Sequence, residues 1–236
     1  MTLPTIIFLP GLLCDEHLWK RQVNDLGNVA PVLVADLTQD DTIAAMAQRV
    51  AALASGQFAI VALSMGGYVA FELLRYFPDR IVGAALLDTS AAADSPAKAA
   101  ARLAGIKSLA LGRFTGVTSR LLPQLVHHRH LGGPVGQDVR EMALRVGGEA
   151  YVRQQRAILG RVDSRPYLSN ITVPTLIGVG AEDVLTPLPE SEVLHSNIPG
   201  ASLHVFKECG HLPPLEKPEE TTVLLRNWLM KSVLSV

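Results

Sequence analysis

QFAIVALSMGGYVAFELLRYF, residues 57–77, places an apolar run, a serine among small residues and a helical pattern in immediate succession. Gln57 to Leu63 predicts a short buried strand, rich in apolar and β-branched residues and free of breakers. From Tyr68 to Phe77 the apolar spacing becomes that of a helix, with Val69, Leu73 and Tyr76 sharing a face, and Pro78 stops it. A serine at such a junction has the geometry of a nucleophile elbow. The turn is so tight that the positions two before and two after it must be very small, here Ala62 and Gly66. It lifts the hydroxyl above the sheet and aims a backbone N–H at whatever lies there. Alone, the pattern also fits an ordinary glycine-rich strand-to-helix turn; residues further along decide.

Strand-like runs recur at 5–9, 32–35, 58–63, 82–87, 175–179 and 202–206, with helical patterns at 16–26, 42–54, 65–77, 190–196 and 218–233. Strands that are continuously apolar and alternate with helices predict a doubly wound α/β fold: a mostly parallel sheet of about six strands, covered on both faces. The alternation breaks between Ala91 and Arg165, where Ala, Arg and Leu dominate and Gly132-Gly133 and Gly147-Gly148 interrupt helical patterns. The expected organisation is a core of residues 1–90 and 166–236 with a helical lid, or cap, inserted at 91–165. Ligands of open parallel sheets bind at the carboxyl ends of the strands, and an insertion leaving that edge would cover them.

The chain has 236 residues, 48% of them hydrophobic, and a formal charge of −1. That balance argues against a nucleic-acid partner, and no apolar run approaches the roughly 18 residues of a membrane span. Met1 to Leu13 lacks a basic leader and carries Pro4 and Pro10, so it reads as strand and loop. Two cysteines, Cys14 and Cys209, make no disulfide framework, and a cytoplasmic location is the expectation. The charge is unevenly spread. Residues 91–165 hold 12 Lys/Arg against 5 Asp/Glu, a surplus of +7, and the remainder carries −8. Charge runs are usually solvated helix faces or ties to the acidic remainder, which is the first reading of such a surplus; the functional alternative is a positive wall facing an anionic substrate or partner.

At the strand ends stand Leu9-Pro10-Gly11-Leu12-Leu13, then Ser64, then Asp88, then Gly180-Ala181-Glu182-Asp183, then Cys209-Gly210-His211. Serine, acid and histidine therefore emerge on one edge. Acyl transfer needs this set: a histidine to take the hydroxyl proton and return it to the leaving group, and a carboxylate to fix the imidazole tautomer. Asp88 and Glu182 stand beside Asp183 as candidate acids. His204 falls in a strand and His17 and His195 in helical segments, where structural roles suffice. His127, His128 and His130 resemble a metal tract, yet no Cys or carboxylate lies at ligand spacing, so the reading is that they line a pocket. Trp19 reads as packing behind the first loop, and the cysteines as rim residues.

On LPGLLCDEHLW (9–19), ALSMGGYVA (62–70), VPTLIGVGAEDVLTP (173–187) and GHLPPLEKPEE (210–220), the chain resembles the α/β-hydrolase fold family, in its branch of small bacterial esterases and enol-lactone hydrolases. The resemblance implies Ser64 as nucleophile, Asp183 as acid, His211 as base and an oxyanion hole from the backbone N–H groups of Leu12 and Met65. It implies no metal and no organic cofactor. Three departures stand out: Ala62 for the usual first elbow glycine, Pro10 where many relatives have histidine, and the absence of the family's two initial strands. The implied activity is cleavage of a small carboxylic ester or lactone through an acyl-enzyme; the charge count adds that, if the positive balance of residues 91–165 faces inward, the preferred ester carries a carboxylate or is attached to an acidic carrier protein. A carbon–carbon bond hydrolase or thioesterase would use the same triad, and a ligand-binding member of the fold would keep it idle. The elbow serine, where dehalogenases and epoxide hydrolases place aspartate, argues against those chemistries.

Overall fold

The computed structural model describes residues 3–112 and 114–234. Strands β1 (Thr5–Leu9), β2 (Val32–Val34), β3 (Phe58–Leu63), β4 (Ile81–Leu87), β5 (Thr175–Gly180) and β6 (Ser202–Phe206) form one sheet in the order β2-β1-β3-β4-β5-β6. Every neighbouring pair is parallel. Each strand lies within one residue of its expected position, because runs such as FAIVAL are buried on both faces and have no competing helical period. The edge strands β2 and β6 are only half-buried.

Alternate residues of a strand point to opposite faces, so the sheet serves two cores. Ile7, Leu9, Ile60 and Ala62 join the core under helices α2 (Ile43–Ala51), α3 (Met65–Tyr76) and α7 (Leu188–Asn197). Ile6, Phe8, Val61 and Leu63 join the other, under α1 (Lys20–Leu26) and α9 (Pro218–Trp228). Between β4 and β5 come α4 (Pro96–Leu111), α5 (Leu122–Leu125) and α6 (Pro134–Leu159); α8 (Pro213–Glu216) precedes α9.

Local chemistry accounts for the helix ends. The Thr42 hydroxyl caps α2 by accepting from Ala45 N–H, and Ser95 caps α4 by accepting from Lys98 N–H. The helix expected over 16–26 begins as a tighter turn, Glu16–Trp19, capped by Asp15, before α1 proper. The last one passes into a wider turn at Leu229–Val233. Tyr76 does not share the buried face of Val69 and Leu73: it is 63% exposed, because α3 buries nearly every other residue and the stripe reading fits only a half-buried helix. The Gly147-Gly148 break is a kink inside α6, with Gly147 at φ 79°.

In chain order β1 is followed by a strand on one side and then by β3 on the other. The reversal opens a crevice at the carboxyl ends of β1 and β3, where open α/β sheets hold ligands.

Candidate active site

Ser64 follows β3 with φ 53° and ψ −112°, a region a serine occupies only when its surroundings impose it. Its N–H donates to Leu87 O at 3.0 Å, and its carbonyl accepts from Gly67 N–H at 2.9 Å and the Thr89 hydroxyl at 2.8 Å. Gly66 is required by more than the turn: a Cβ there would overlap the backbone carbonyl of Leu9 at the end of β1. The elbow is thus pressed against the loop that follows β1.

Asp183 and His211 come from the loops after β5 and β6. The His211 ring meets Asp183 Oδ2 through Nδ1 at 2.8 Å, and both side chains are buried. Asp183 Oδ2 also accepts from the Thr186 hydroxyl at 2.7 Å, while Oδ1 accepts from Leu185 N–H at 2.8 Å and Thr186 N–H at 3.3 Å. Burial alone would raise the Asp183 carboxyl. The imidazole and the hydrogen bonds from His211, Thr186 and Leu185 outweigh it and hold the group down at about 2. An ionised carboxylate only accepts, so Nδ1 carries the ring hydrogen and Nε2 presents a lone pair on the opposite side.

Ser64, His211, Leu12 and Met65 all line one cavity of about 870 Å³ between the carboxyl edge of the sheet and the inserted helices. The Ser64 hydroxyl is not hydrogen-bonded to the ring, a contact that in serine hydrolases commonly tightens in the substrate complex. The loop after β1 is shaped by a positive φ at Leu13 (60°), whose N–H donates to Gln154 Oε1 of α6 at 3.1 Å. The amide of Gln154 in turn donates to Leu37 O at 3.2 Å, which anchors the loop across 141 residues of sequence.

The remaining candidates fall elsewhere. Glu182 accepts from Cys209 N–H at 2.9 Å and serves the histidine loop. Asp88 Oδ1 accepts from Gly180 N–H at 2.8 Å and does not meet the imidazole as Asp183 does. The histidine tract is not in the cavity lining, contrary to expectation. It packs against the histidine loop, where His127 N–H donates to Glu216 Oε2 at 2.7 Å and Arg129 pairs with Glu208 at 2.9 Å. His204 pairs with Glu220 and His17 with Asp138. Burial, joined by Asp15, pushes the Cys14 thiol up to about 12, and burial with Glu216 and Asp88 pushes Cys209 up, so neither is a thiolate nucleophile. Trp19 is wholly buried against Phe8, with ring centroids 5.1 Å apart.

Three supporting residues escaped the sequence reading. Thr186 had a signal, since Asp-x-x-Thr is a turn pattern in which the carboxylate accepts from the backbone two and three residues on. Gln154 and Glu216 had none: their partners are distant in the chain or are backbone groups. Glu216 accepts from Leu212 N–H at 3.0 Å, Gly210 N–H at 3.1 Å and His127 N–H, closing the histidine loop onto the segment after α5.

A family model described as the alpha/beta hydrolase family matches residues 6–223. A pimeloyl-[acyl-carrier protein] methyl ester esterase from Neisseria meningitidis serogroup C is 27% identical over 245 residues, covering 95% of this chain and 93% of its own. One from Nitrosomonas europaea is 26% identical over 234 residues, covering 92% of each. Among solved structures, a thermophilic esterase from Thermogutta terrifontis with malate bound superposes with a TM-score of 0.90 at 30% identity, covering 99% of this chain and 92% of its own. An enol-lactonase from Burkholderia xenovorans superposes at 0.84 with 24% identity over 98% and 93%, a likeness of fold.

Proposed function

The chain belongs to the alpha/beta hydrolase family and is a carboxylic-ester hydrolase, and from that premise we propose that Ser64, His211 and Asp183 carry out the reaction. The observation that carries the assignment is the buried His211–Asp183 hydrogen bond behind a cavity that also exposes the elbow serine. His211 Nε2 takes the Ser64 proton as Oγ adds to the ester carbonyl. The backbone N–H groups of Leu12 and Met65 receive the developing oxyanion; loss of one such donor typically costs about 10²–10³ in rate. The tetrahedral adduct collapses, the imidazolium protonates the departing alcohol, and an acyl-Ser64 ester remains. Water, deprotonated by His211, then adds to that ester and releases the acid. Asp183 stays ionised throughout and stabilises the imidazolium.

In this reading residues 91–165 act as the lid, and the cavity beneath them selects the substrate. Its lining combines apolar residues, including Leu12, Val117, Leu121 and Leu125, which suit an acyl chain, with Lys98 and Arg102 of α4. An ester with an apolar acyl chain and an anionic group fits that lining, the anion being a free carboxylate or an acidic carrier. Two comparisons support it: the Neisseria relative is named for an acyl-carrier-protein methyl ester, and the Thermogutta structure holds malate, a dicarboxylate. The two cysteines are free, which suits a reducing compartment, and we place the enzyme in the cytoplasm. Among the described residues no helix is long and apolar enough to cross a membrane.

Incubation with a fluorophosphonate should label Ser64, and Ser64→Ala should lose both the label and ester turnover. On a panel of esters, lactones and thioesters, esters should give the highest kcat/KM. Labelling elsewhere, or turnover surviving in Ser64→Ala, would remove Ser64 from the mechanism.

A further inference from the structure

Asp88 is wholly buried at the carboxyl end of β4, beside the triad, and has no part in the steps above. Its backbone is fixed: φ is 44°, and its N–H donates to Gly178 O on β5 at 2.9 Å. Oδ1 accepts from Gly180 N–H at 2.8 Å, but no donor among the described residues reaches Oδ2, although that oxygen is sealed from solvent. An oxygen of Asp88, one of Asp183 and a ring nitrogen of His211 all lie within 4.8 Å of one another.

Two adjoining buried carboxyls cannot both ionise, and the donors around them decide which one does. Asp183 has four donors, including the imidazole. Asp88 has one, and the titratable groups facing it are Asp183 on the loop after β5, His211 and Cys209 on the loop after β6, and Glu216 on α8. The proton therefore resides on Asp88, whose orphan oxygen becomes a donor with a carboxylate to meet. We propose that Asp88 is a positioning residue of the triad, donating its Oδ2–H to the Asp183 carboxylate and so tying the acid on the loop after β5 to the end of β4. The assignment rests on the triad reading above. Burial, followed by the charge of Asp183, raises the Asp88 carboxyl well above the ordinary range, in the direction the geometry requires.

Asparagine is the isostere of a protonated aspartate: its oxygen can keep Gly180 N–H and its amide can donate to Asp183. Asp88→Asn should therefore keep kcat within about threefold and leave the acid limb of the pH–rate profile in place. Asp88→Leu, which fills the space without a donor, should lower kcat by about tenfold or more with KM retained. Stability gives a readout independent of turnover. In the unfolded chain Asp88 ionises above about pH 4, whereas in the fold it keeps its proton, so wild type loses stability as pH rises and the Asn variant does not. The margin of Asp88→Asn over wild type in urea unfolding should widen from pH 4 to pH 8.

If Asp88 were an anion in the fold, its removal would move the acid limb to lower pH by about one unit or more. That result, a margin independent of pH, or an unchanged kcat in a folded Asp88→Leu overturns the assignment. Should the Leu variant not fold, the Asn variant decides through the limb and the margin. Fluorophosphonate labelling separates the two layers: labelled Ser64 with a displaced limb overturns Asp88 alone, and failure to label Ser64 in wild type overturns the triad reading.

Discussion

Glu216 concentrates three backbone N–H groups on two oxygens, and one of the three belongs to a segment 89 residues away in sequence. Carboxylates suit this because they only accept; an amide must present a donor on one side. Glu216→Gln should therefore turn at least one buried N–H toward an NH₂ group. We expect a loss of about 2–4 kcal/mol in chemical unfolding, since a buried charge-assisted bond is broken and its donor left unpaired. Because Gly210 and Leu212 flank His211, kcat should fall together with stability, while fluorophosphonate labelling slows. Unchanged kcat in a destabilised Glu216→Gln would confine the residue to a structural role. None of this was legible beforehand: the donors that meet Glu216 are main-chain N–H groups that any sequence supplies. Ser64, Asp183 and His211 were legible because each stands at a strand end, and parallel strands bring their ends to one edge. The histidine tract misled, since spacing shows what shares a turn and not which wall of a cavity that turn faces.

Among the elements, the strands were readable and the inserted helices were not. FAIVAL admits one structure, whereas α4 and α6 carry weak stripes with partners that only the fold supplies. Their arginines illustrate the point. The surplus of positive charge was countable, yet many of these side chains tie the insertion to the core. Arg145 pairs with Asp15 at 2.6 Å, and Arg153 donates to Thr38 O at 2.7 Å. Arg161 does most. Its guanidinium donates twice to Ala92 O (3.2 and 3.0 Å), to Ile158 O (3.0 Å) and to Asp94 (2.9 Å), and sits 4.2 Å above the Tyr68 ring of α3. Ala92 and Asp94 precede α4 and Arg161 follows α6, so one side chain clasps both ends of the insertion. Ser164 N–H, donating to Ala91 O at 2.8 Å, adds a second tie. Lysine keeps the charge but cannot serve three acceptors in a planar fork. Arg161→Lys should lower unfolding stability by about 3 kcal/mol, the scale of breaking a buried pair, and should speed proteolysis near residues 91–95 and 160–165. Proteolysis unchanged from wild type would show that the clasp does not hold the insertion down.

At the scale of the whole molecule, a charge near zero conceals a cationic insertion set against an anionic core, and the cavity lies between them. Arg102 decides whether that asymmetry reaches the substrate. Its Nε is engaged by Asp94 at 2.6 Å and one Nη by Gln155 at 2.9 Å, which fixes the fork, and the residue lines the cavity together with Lys98. Asp94 is already matched by Arg161, so Arg102 brings net positive charge to that wall. A matched pair of p-nitrophenyl esters, one of a neutral acyl chain and one with a terminal carboxylate, tests the consequence. Arg102→Gln should reduce kcat/KM for the anionic ester by roughly tenfold, the scale of one charge-assisted hydrogen bond, and leave the neutral ester within about twofold. Raising salt from about 10 mM to 150 mM shortens the screening length from roughly 30 Å to 8 Å. It should slow only the anionic ester in wild type, and the slowing should be weaker in Arg102→Gln. Equal kcat/KM for the two esters before and after the substitution would mean that the charge of the inserted helices serves their seating alone.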